Sequence, residues 1–245
     1  MARIAIIGGT GAELFPHGQD ATEISAAGKW GEPSSSLRLW TQGDHEILFL
    51  CRHGAEGGIP PHRVNYRANI AALAEQGVDE IIALNAVGGI VPGIVAGSLV
   101  IPGQLVDYTY GRAHSFFDSP NDRKQYIDFT EPYTQKIRDR LKQAADAAGV
   151  TYTASGVYGV TQGPRLETAA EIDRLERDGC SIVGMTSMPE AALAREVGLP
   201  YACLGLVVNA AAGRSNTAIH QDIERYLQSA VALAGQLILS YLASR

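Results

Sequence analysis

A chain of 245 residues that is 46% apolar is long enough for one large domain with a full core, and too apolar to be disordered. Its net charge of −6 argues against a nucleic-acid partner, whose phosphate backbone needs basic surface, and means that any anionic ligand must be held by local positive groups. Cys51, Cys180 and Cys203 sit in apolar segments without CxxC spacing, so reduced, buried thiols are expected, not a disulfide framework or a zinc site. The opening stretch MARIAIIGGTG has too short an apolar run for a signal peptide, and a cytoplasmic location is expected.

In chain order, aliphatic and β-branched runs predict strands at RIAII, LRLW, EILFLC, EIIALN, SLVIP, QLVDYT, GVYGVT, SIVGM and ACLGLVVN. Helical patterns fall between several of them, at VNYRANIAALAEQG, EPYTQKIRDRLKQAADAAG, TAAEIDRLERDG and PEAALAREVG. Each helical pattern stops at a glycine: Gly77, Gly149, Gly179 and Gly198. Near the end, Ile223, Tyr226, Leu227, Ala230, Val231, Ala234, Leu237, Ile238 and Tyr241 recur at helical spacing, predicting a long helix packed on a core. The tract SAVALAGQLILSYLASR within it reads as too short and interrupted to span a membrane. Alternation of this kind argues for an α/β fold, with a mixed, largely parallel central β-sheet flanked by helices. No low-complexity linker or repeat divides the chain, so a single domain covering 1–245 is expected. The longest irregular stretch, 111–130, is of a length that usually serves function or an interface.

In such folds ligands gather at the carboxyl ends of strands, and several strand ends here carry unusual chemistry. RIAIIGGTGAE runs into a glycine-rich turn but lacks the dinucleotide fingerprint, since Leu14 stands at the third glycine position. The turn reads either as an anion nest with Thr10 or as a plain tight turn. FLCRHG ends on Arg52 and His53, an oxyanion fork with a second donor beside it, or simply surface. His53 and His62 match no common metal spacing. IIALNAVGGI ends a buried strand in Asn85, Ala86 and an expected Gly-Gly turn. In TQGPRLETAAE, Glu167 and Thr168 stand at a helix start, where either serves as a cap. SIVGMTSMPE places Met185 and Thr186 at a further strand end, and ACLGLVVNAAAG closes on Asn209. Singly these are ordinary; together Thr10, Arg52, His53, Asn85, Ala86 and Thr186 converge on one sheet edge with the chemistry of a phosphate site.

IAIIGGTG, RHG, VNYRANIAAL, NAVGGI, TQGPRLET, GMTSMPEAALARE and NAAAG, in that order, closely resemble the purine nucleoside phosphorylase and methylthioadenosine phosphorylase family over essentially the whole chain. The resemblance implies phosphorolysis of a purine nucleoside by a homotrimer, with inorganic phosphate as co-substrate and no metal or organic cofactor. It also implies an α/β sandwich around a mixed sheet. Carried over residue by residue, Thr10, Arg52, His53, Asn85, Ala86 and Thr186 fall where the family binds phosphate, Asn85 standing where close relatives have threonine. Met185 falls against the sugar, and Leu166 replaces a customary phenylalanine beside the base. Phosphate is itself the nucleophile, so the rate comes from positioning and from stabilising the departing purine.

Relatives that cleave adenine nucleosides resemble one another in having aspartates where this chain has Asn209 and Ala211, and a serine where it has Glu167. An asparagine amide can donate to O6 or N7 of a 6-oxopurine, and an ionised Glu167 can accept from N1–H. Glu167 and Asn209, with Ala210 and Ala211 beside them, are therefore read as recognising hypoxanthine or guanine. For the 5′ group, the short N-terminus, the GGTG turn and GMTSMPE resemble the methylthioadenosine branch and suggest 5′-methylthioinosine. His220 falls where inosine-cleaving relatives hold the 5′-hydroxyl, or is a solvated residue in the first helical turn. Tyr126, in the long loop, is expected to reach the pocket of a neighbouring subunit. An ordinary inosine or guanosine phosphorylase and a non-catalytic purine-binding module are the alternatives.

Overall fold

The computed structural model describes residues 1–16, 18, 20–117 and 126–245. Its strands are β1 (Ala2–Gly8), β2 (Thr22–Ile24), β3 (Leu37–Gln42), β4 (His45–Cys51), β5 (Glu80–Gly89), β6 (Leu99–Val100), β7 (Gln104–Asp107), β8 (Tyr152–Thr153), β9 (Val157–Val160), β10 (Ile182–Gly184) and β11 (Tyr201–Ala210). The helices are α1 (Tyr66–Glu75), α2 (Gln135–Ala148), α3 (Ala169–Arg177), α4 (Ser187–Glu196) and α5 (Ile219–Ala243). All the strands belong to one mixed sheet, ordered β2-β3-β4-β1-β5-β10-β9-β7, with β11 branching from β5 and continuing to β6 and β8. The centre is parallel, β1 pairing with β4 and β5 and β11 running beside β5. Antiparallel pairs occur where β2 meets β3, β3 meets β4, β10 meets β5 and β6 meets β11.

Strand alternation sorts the core into two layers. Ala5, Ile7, Leu48, Leu50, Ile81 and Cys203 face α1 and α4, whereas Ile4, Ile6, Ile47, Phe49, Ile82 and Leu204 face α2 and α5. α5 spans 25 residues and is long and apolar enough, by length and composition, to cross a membrane, which the sequence pattern understates. Its stripe of Ala230, Val231, Ala234, Leu237, Ile238 and Tyr241 is buried in the core, as the helical spacing predicts. α2 begins at Gln135 and not at Glu131, because Tyr133 is fully buried and stacks on Tyr201.

One difference from the sequence reading shapes the site. EIIALNAVGG does not end in a Gly-Gly turn: β5 continues through Gly89, pairing with β10 and β11 at once. The glycines serve close packing. A Cβ on Gly89 would lie 2.3 Å from the Ile94 carbonyl oxygen, and one on Gly88 3.1 Å from Asn209 Nδ2.

Candidate active site

Five strand ends converge on one pocket. It is lined by Gly9 and Thr10 after β1, Arg52 and His53 after β4, Ala86 to Gly88 on β5, Val183 to Thr186 around the end of β10, and Val208, Asn209, Ala211 and Ala212 at the end of β11. Leu166 and Glu167, before α3, and Ile219 and Ile223, in the first turns of α5, complete the wall. Gly9, Thr10, His53 and Pro61 also line a wider neighbouring cavity.

The inner end is locked from below. Arg52 is fully buried; its Nε and Nη2 donate to the two carboxylate oxygens of Glu190 at 2.7 and 2.8 Å, and Nη1 donates to the Leu84 carbonyl at 3.0 Å. Glu190, itself fully buried, also accepts from the Tyr201 hydroxyl at 2.9 Å. Burial works against the Arg52 charge, but attraction and hydrogen bonding to Glu190 outweigh it and hold the guanidinium firmly protonated. Of its five N–H groups, those not engaged below are left for an oxyanion. Gly9 keeps that face clear, since a Cβ there would stand 2.8 Å from Nη1.

His53 Nδ1 lies 2.8 Å from the Ile59 carbonyl, so that nitrogen carries the proton. Burial, then the neighbouring Arg52 charge, lower its pKa below the ordinary histidine value. The neutral ring therefore offers Nε2 as an acceptor, not as the donor that the sequence reading assumed.

Thr186 is oriented by a short relay. Asn85 Nδ2 donates to Thr186 Oγ1 at 2.7 Å, and Cys203 Sγ donates to Asn85 Oδ1 at 3.2 Å. Burial pushes the Cys203 thiol up, so it stays protonated and fixes which way the amide faces. Thr186 Oγ1 accepts from Asn85 and stands on the pocket wall.

The outer end is built differently. Thr168 Oγ1 accepts from the Glu171 amide at 3.1 Å while Glu171 Oε2 accepts from the Thr168 amide at 2.7 Å, a reciprocal cap for α3. Glu167 is thus freed from capping, and its Oε1 accepts from Thr161 Oγ1 at 2.6 Å. Asn209 follows a register shift in β11 between Val207 and Asn209, where the strand bulges against β5. Its Nδ2 donates to the Ala210 carbonyl at 2.7 Å, which leaves Oδ1 and one N–H for a ligand.

The sequence matches the Phosphorylase superfamily over residues 3–243. It is 50% identical over 229 residues to a probable S-methyl-5′-thioinosine phosphorylase of Pseudomonas syringae pv. tomato, covering 93% of each chain. This chain belongs to the phosphorylase superfamily. The phosphorylase is also 43% identical over 246 residues to a 6-oxopurine nucleoside phosphorylase of Pyrococcus furiosus, covering 98% of this chain and 92% of that protein. Its fold superposes on methylthioadenosine phosphorylase from Schistosoma mansoni in complex with tubercidin with a TM-score of 0.90 at 30% identity, over 99% and 91% of the two chains.

Of the residues expected at the site, the phosphorylase brings Thr10, Arg52, His53, Ala86, Leu166, Glu167, Met185, Thr186, Asn209 and Ala211 onto the pocket. Asn85 is not on the wall: it is 1% exposed and acts through Thr186, because β5 runs on past it and leaves its side chain under the pocket. Ala210 contributes only the carbonyl that holds Asn209. His220 is exposed and off the pocket, since Ile219 and Ile223, four residues apart, share the helical face that lines it. Tyr126 is 90% exposed and does not line the pocket of its own chain.

Sequence reasoning missed Glu190, read only as part of a helix start, and Ile219 and Ile223 as pocket wall. It also missed Arg112, which is 8% exposed within the long irregular segment. Its Nη1 donates to the Met185 and Met188 carbonyls at 2.7 and 2.6 Å, and Nη2 to the Gln162 carbonyl at 2.7 Å. Arg112 thereby ties the Thr161–Gln162 wall to the Met185 wall. A lone arginine in an irregular segment gives no sequence signal of such a role.

Proposed function

We propose that this phosphorylase cleaves S-methyl-5′-thioinosine with inorganic phosphate, giving hypoxanthine and 5-methylthioribose 1-phosphate. The observation that carries the reading is the wall at α5: Ile219 and Ile223 face the pocket and His220 does not. An apolar wall suits a methylthio group, whereas a 5′-hydroxyl there would lose its hydrogen bonds to water without replacement. At the base end, Glu167 and the free groups of Asn209 match the N1–H and O6 of a 6-oxopurine.

Hydrogen phosphate binds at the inner end to Arg52, Thr10 and Thr186, with its protonated oxygen suited to the Nε2 acceptor of His53. A phosphate oxygen forms the bond to C1′ as the C1′–N9 bond breaks, and the electron pair leaves with the purine. The phosphate proton ends on the purine, so the reaction balances without added acid. Asn209 stabilises the charge that develops on the leaving base.

On the family pattern, we further propose a cytoplasmic homotrimer that uses no metal or organic cofactor. Leu166 at the pocket, 37% exposed, and Tyr110 on the adjoining cavity, 73% exposed, offer apolar surface that subunit contact would cover. Turnover of methylthioinosine, inosine, guanosine and methylthioadenosine, with and without phosphate, tests the assignment. Phosphate-dependent turnover fastest with methylthioinosine is expected. Fast methylthioadenosine cleavage with none of methylthioinosine would overturn the base reading, and inosine at equal efficiency the 5′ reading. Asn209→Asp should move the ratio of kcat/KM values towards adenine nucleosides by about 10-fold, the scale of one hydrogen-bond mismatch.

A further inference from the structure

We infer that Thr161 is a positioning residue for base selection, holding the Glu167 carboxylate at the pocket. The inference rests on the reading of Glu167 as the group that accepts from a 6-oxopurine. Glu167 stands between two cavities. It lines the candidate pocket, and it also lines an outer cavity of about 400 Å³ whose walls include Arg165, Arg174, Tyr108 and Tyr110. A carboxylate at such a boundary has two places to go, and the outer one carries two guanidinium groups.

Three facts decide which place it takes. Arg165 is already engaged, its Nη1 and Nη2 donating to the two oxygens of Glu171 at 2.8 and 2.7 Å. Arg174 is paired with Asp178 at 3.7 Å. Thr161 Oγ1, by contrast, donates to Glu167 Oε1 at 2.6 Å, and among the described residues no other group hydrogen-bonds to that carboxylate. The hydroxyl has one proton. Its other neighbour, the Gly184 carbonyl at 3.3 Å, is the weaker acceptor by distance and charge.

Thr161 is itself fixed. Its amide donates to the Gly184 carbonyl at 2.8 Å, tying it to the end of β10. The Arg112 hub holds the adjacent Gln162 carbonyl. A rigid donor thus takes one carboxylate oxygen and leaves Oε2 free to accept from N1–H of the base. Burying that free oxygen is tolerated only when a donor meets it, so a purine without a proton at N1 is rejected. An alkyl side chain at position 161 fills the same space but leaves Glu167 untethered.

The test compares Thr161→Val, Thr161→Ser and Glu167→Gln in the full-length protein. Steady-state kinetics are measured with methylthioinosine and methylthioadenosine, and the KM for phosphate is measured separately. Thr161→Val is expected to raise the KM for methylthioinosine about 10-fold, the effect of losing a charge-assisted hydrogen bond. The KM for phosphate and the melting temperature should hold, and Thr161→Ser should stay within about 3-fold of the parent. If Glu167→Gln shifts the base preference while Thr161→Val leaves it unchanged, the positioning role is overturned and the reading of Glu167 stands. If Glu167→Gln changes nothing, both fall together. Equal losses for Thr161→Val and Thr161→Ser, or a matching rise in the KM for phosphate, would make the effect structural and overturn the inference. Should Thr161→Val fail to fold, Thr161→Ala read against Thr161→Ser decides the same question.

Discussion

The two ends of the pocket are held together by different physics. At the inner end three side chains are each held from behind: Arg52 by Glu190, Thr186 by Asn85 with Cys203 behind it, and His53 by the Ile59 carbonyl. At the outer end single contacts suffice, with one hydroxyl for Glu167, one carbonyl for Asn209 and helix-face packing for Ile219 and Ile223. A buried, linked network tolerates no change in one member, because removing any partner leaves a charge or dipole unpaired. The singly held residues can change independently. On the proposed function this is a division of labour, with the step common to phosphorolysis resting on the rigid end and the choice of base and 5′ group on the adjustable one.

The largest effect that could break this contrast is at Glu190. Glu190→Gln should lower stability by about 3–5 kcal/mol, the cost of leaving a buried charge uncompensated, and should raise the KM for phosphate more than that for nucleoside. Denaturant unfolding and separate titrations of the two substrates check this. Replacing Arg52 and Glu190 together with methionine should recover much of the stability without recovering phosphate use. Recovery of both would show that the pair is scaffold alone.

A smaller effect is expected at the outer end. Ile223→Ser should raise the KM for methylthioinosine about 10-fold, the scale of apolar discrimination in a pocket, and leave inosine nearly unchanged. Stability should shift little, because Ile223 is only half-buried. Equal losses for both nucleosides would remove the apolar wall from its role.

The smallest effect concerns His53. Its folded pKa lies below the ordinary 6.5, burial being the main cause and the Arg52 charge the second. Between the two values the unfolded chain binds more protons than the folded one. His53 therefore favours folding fully above the ordinary value, and that contribution is lost as pH falls. The difference in stability between the parent and His53→Gln should accordingly become less favourable to the parent as pH drops through that window. A difference independent of pH would show that His53 keeps an ordinary pKa in the fold.

Much of the fold was legible because strand composition and helical spacing are local signals. The pattern located the central strands, the helices and the α5 stripe. β2 and β8, of three and two residues, lie outside the aliphatic runs that mark the equally short β6 and β10, so sequence gives no sign of them. β5 was cut short because Gly-Gly reads as a turn in sequence, yet here it lets three strands meet. At the site, residues that end strands were found and residues that act through others were not. Glu190 lies far along the chain from Arg52, and only the fold brings the pair together. Asn85 reads from sequence as a ligand group, but β5 runs on past it, and the cysteine that sets its amide stands on another strand. His220 and Ile219 are neighbours in sequence, and the helix phase that separates their roles is set by how α5 packs.

The bulge in β11 has a practical consequence for anyone redesigning selectivity. Strand residues alternate faces with a period of two, so a single extra residue inverts the alternation for all that follows. Asn209 and Ala211 reach the pocket downstream of that inversion. Grafting the Asn-Ala-Ala triplet onto a relative with a regular strand would point it at the opposite layer. On the proposed reading of Asn209, base preference depends partly on backbone register, and Val208 has to be transplanted with the triplet.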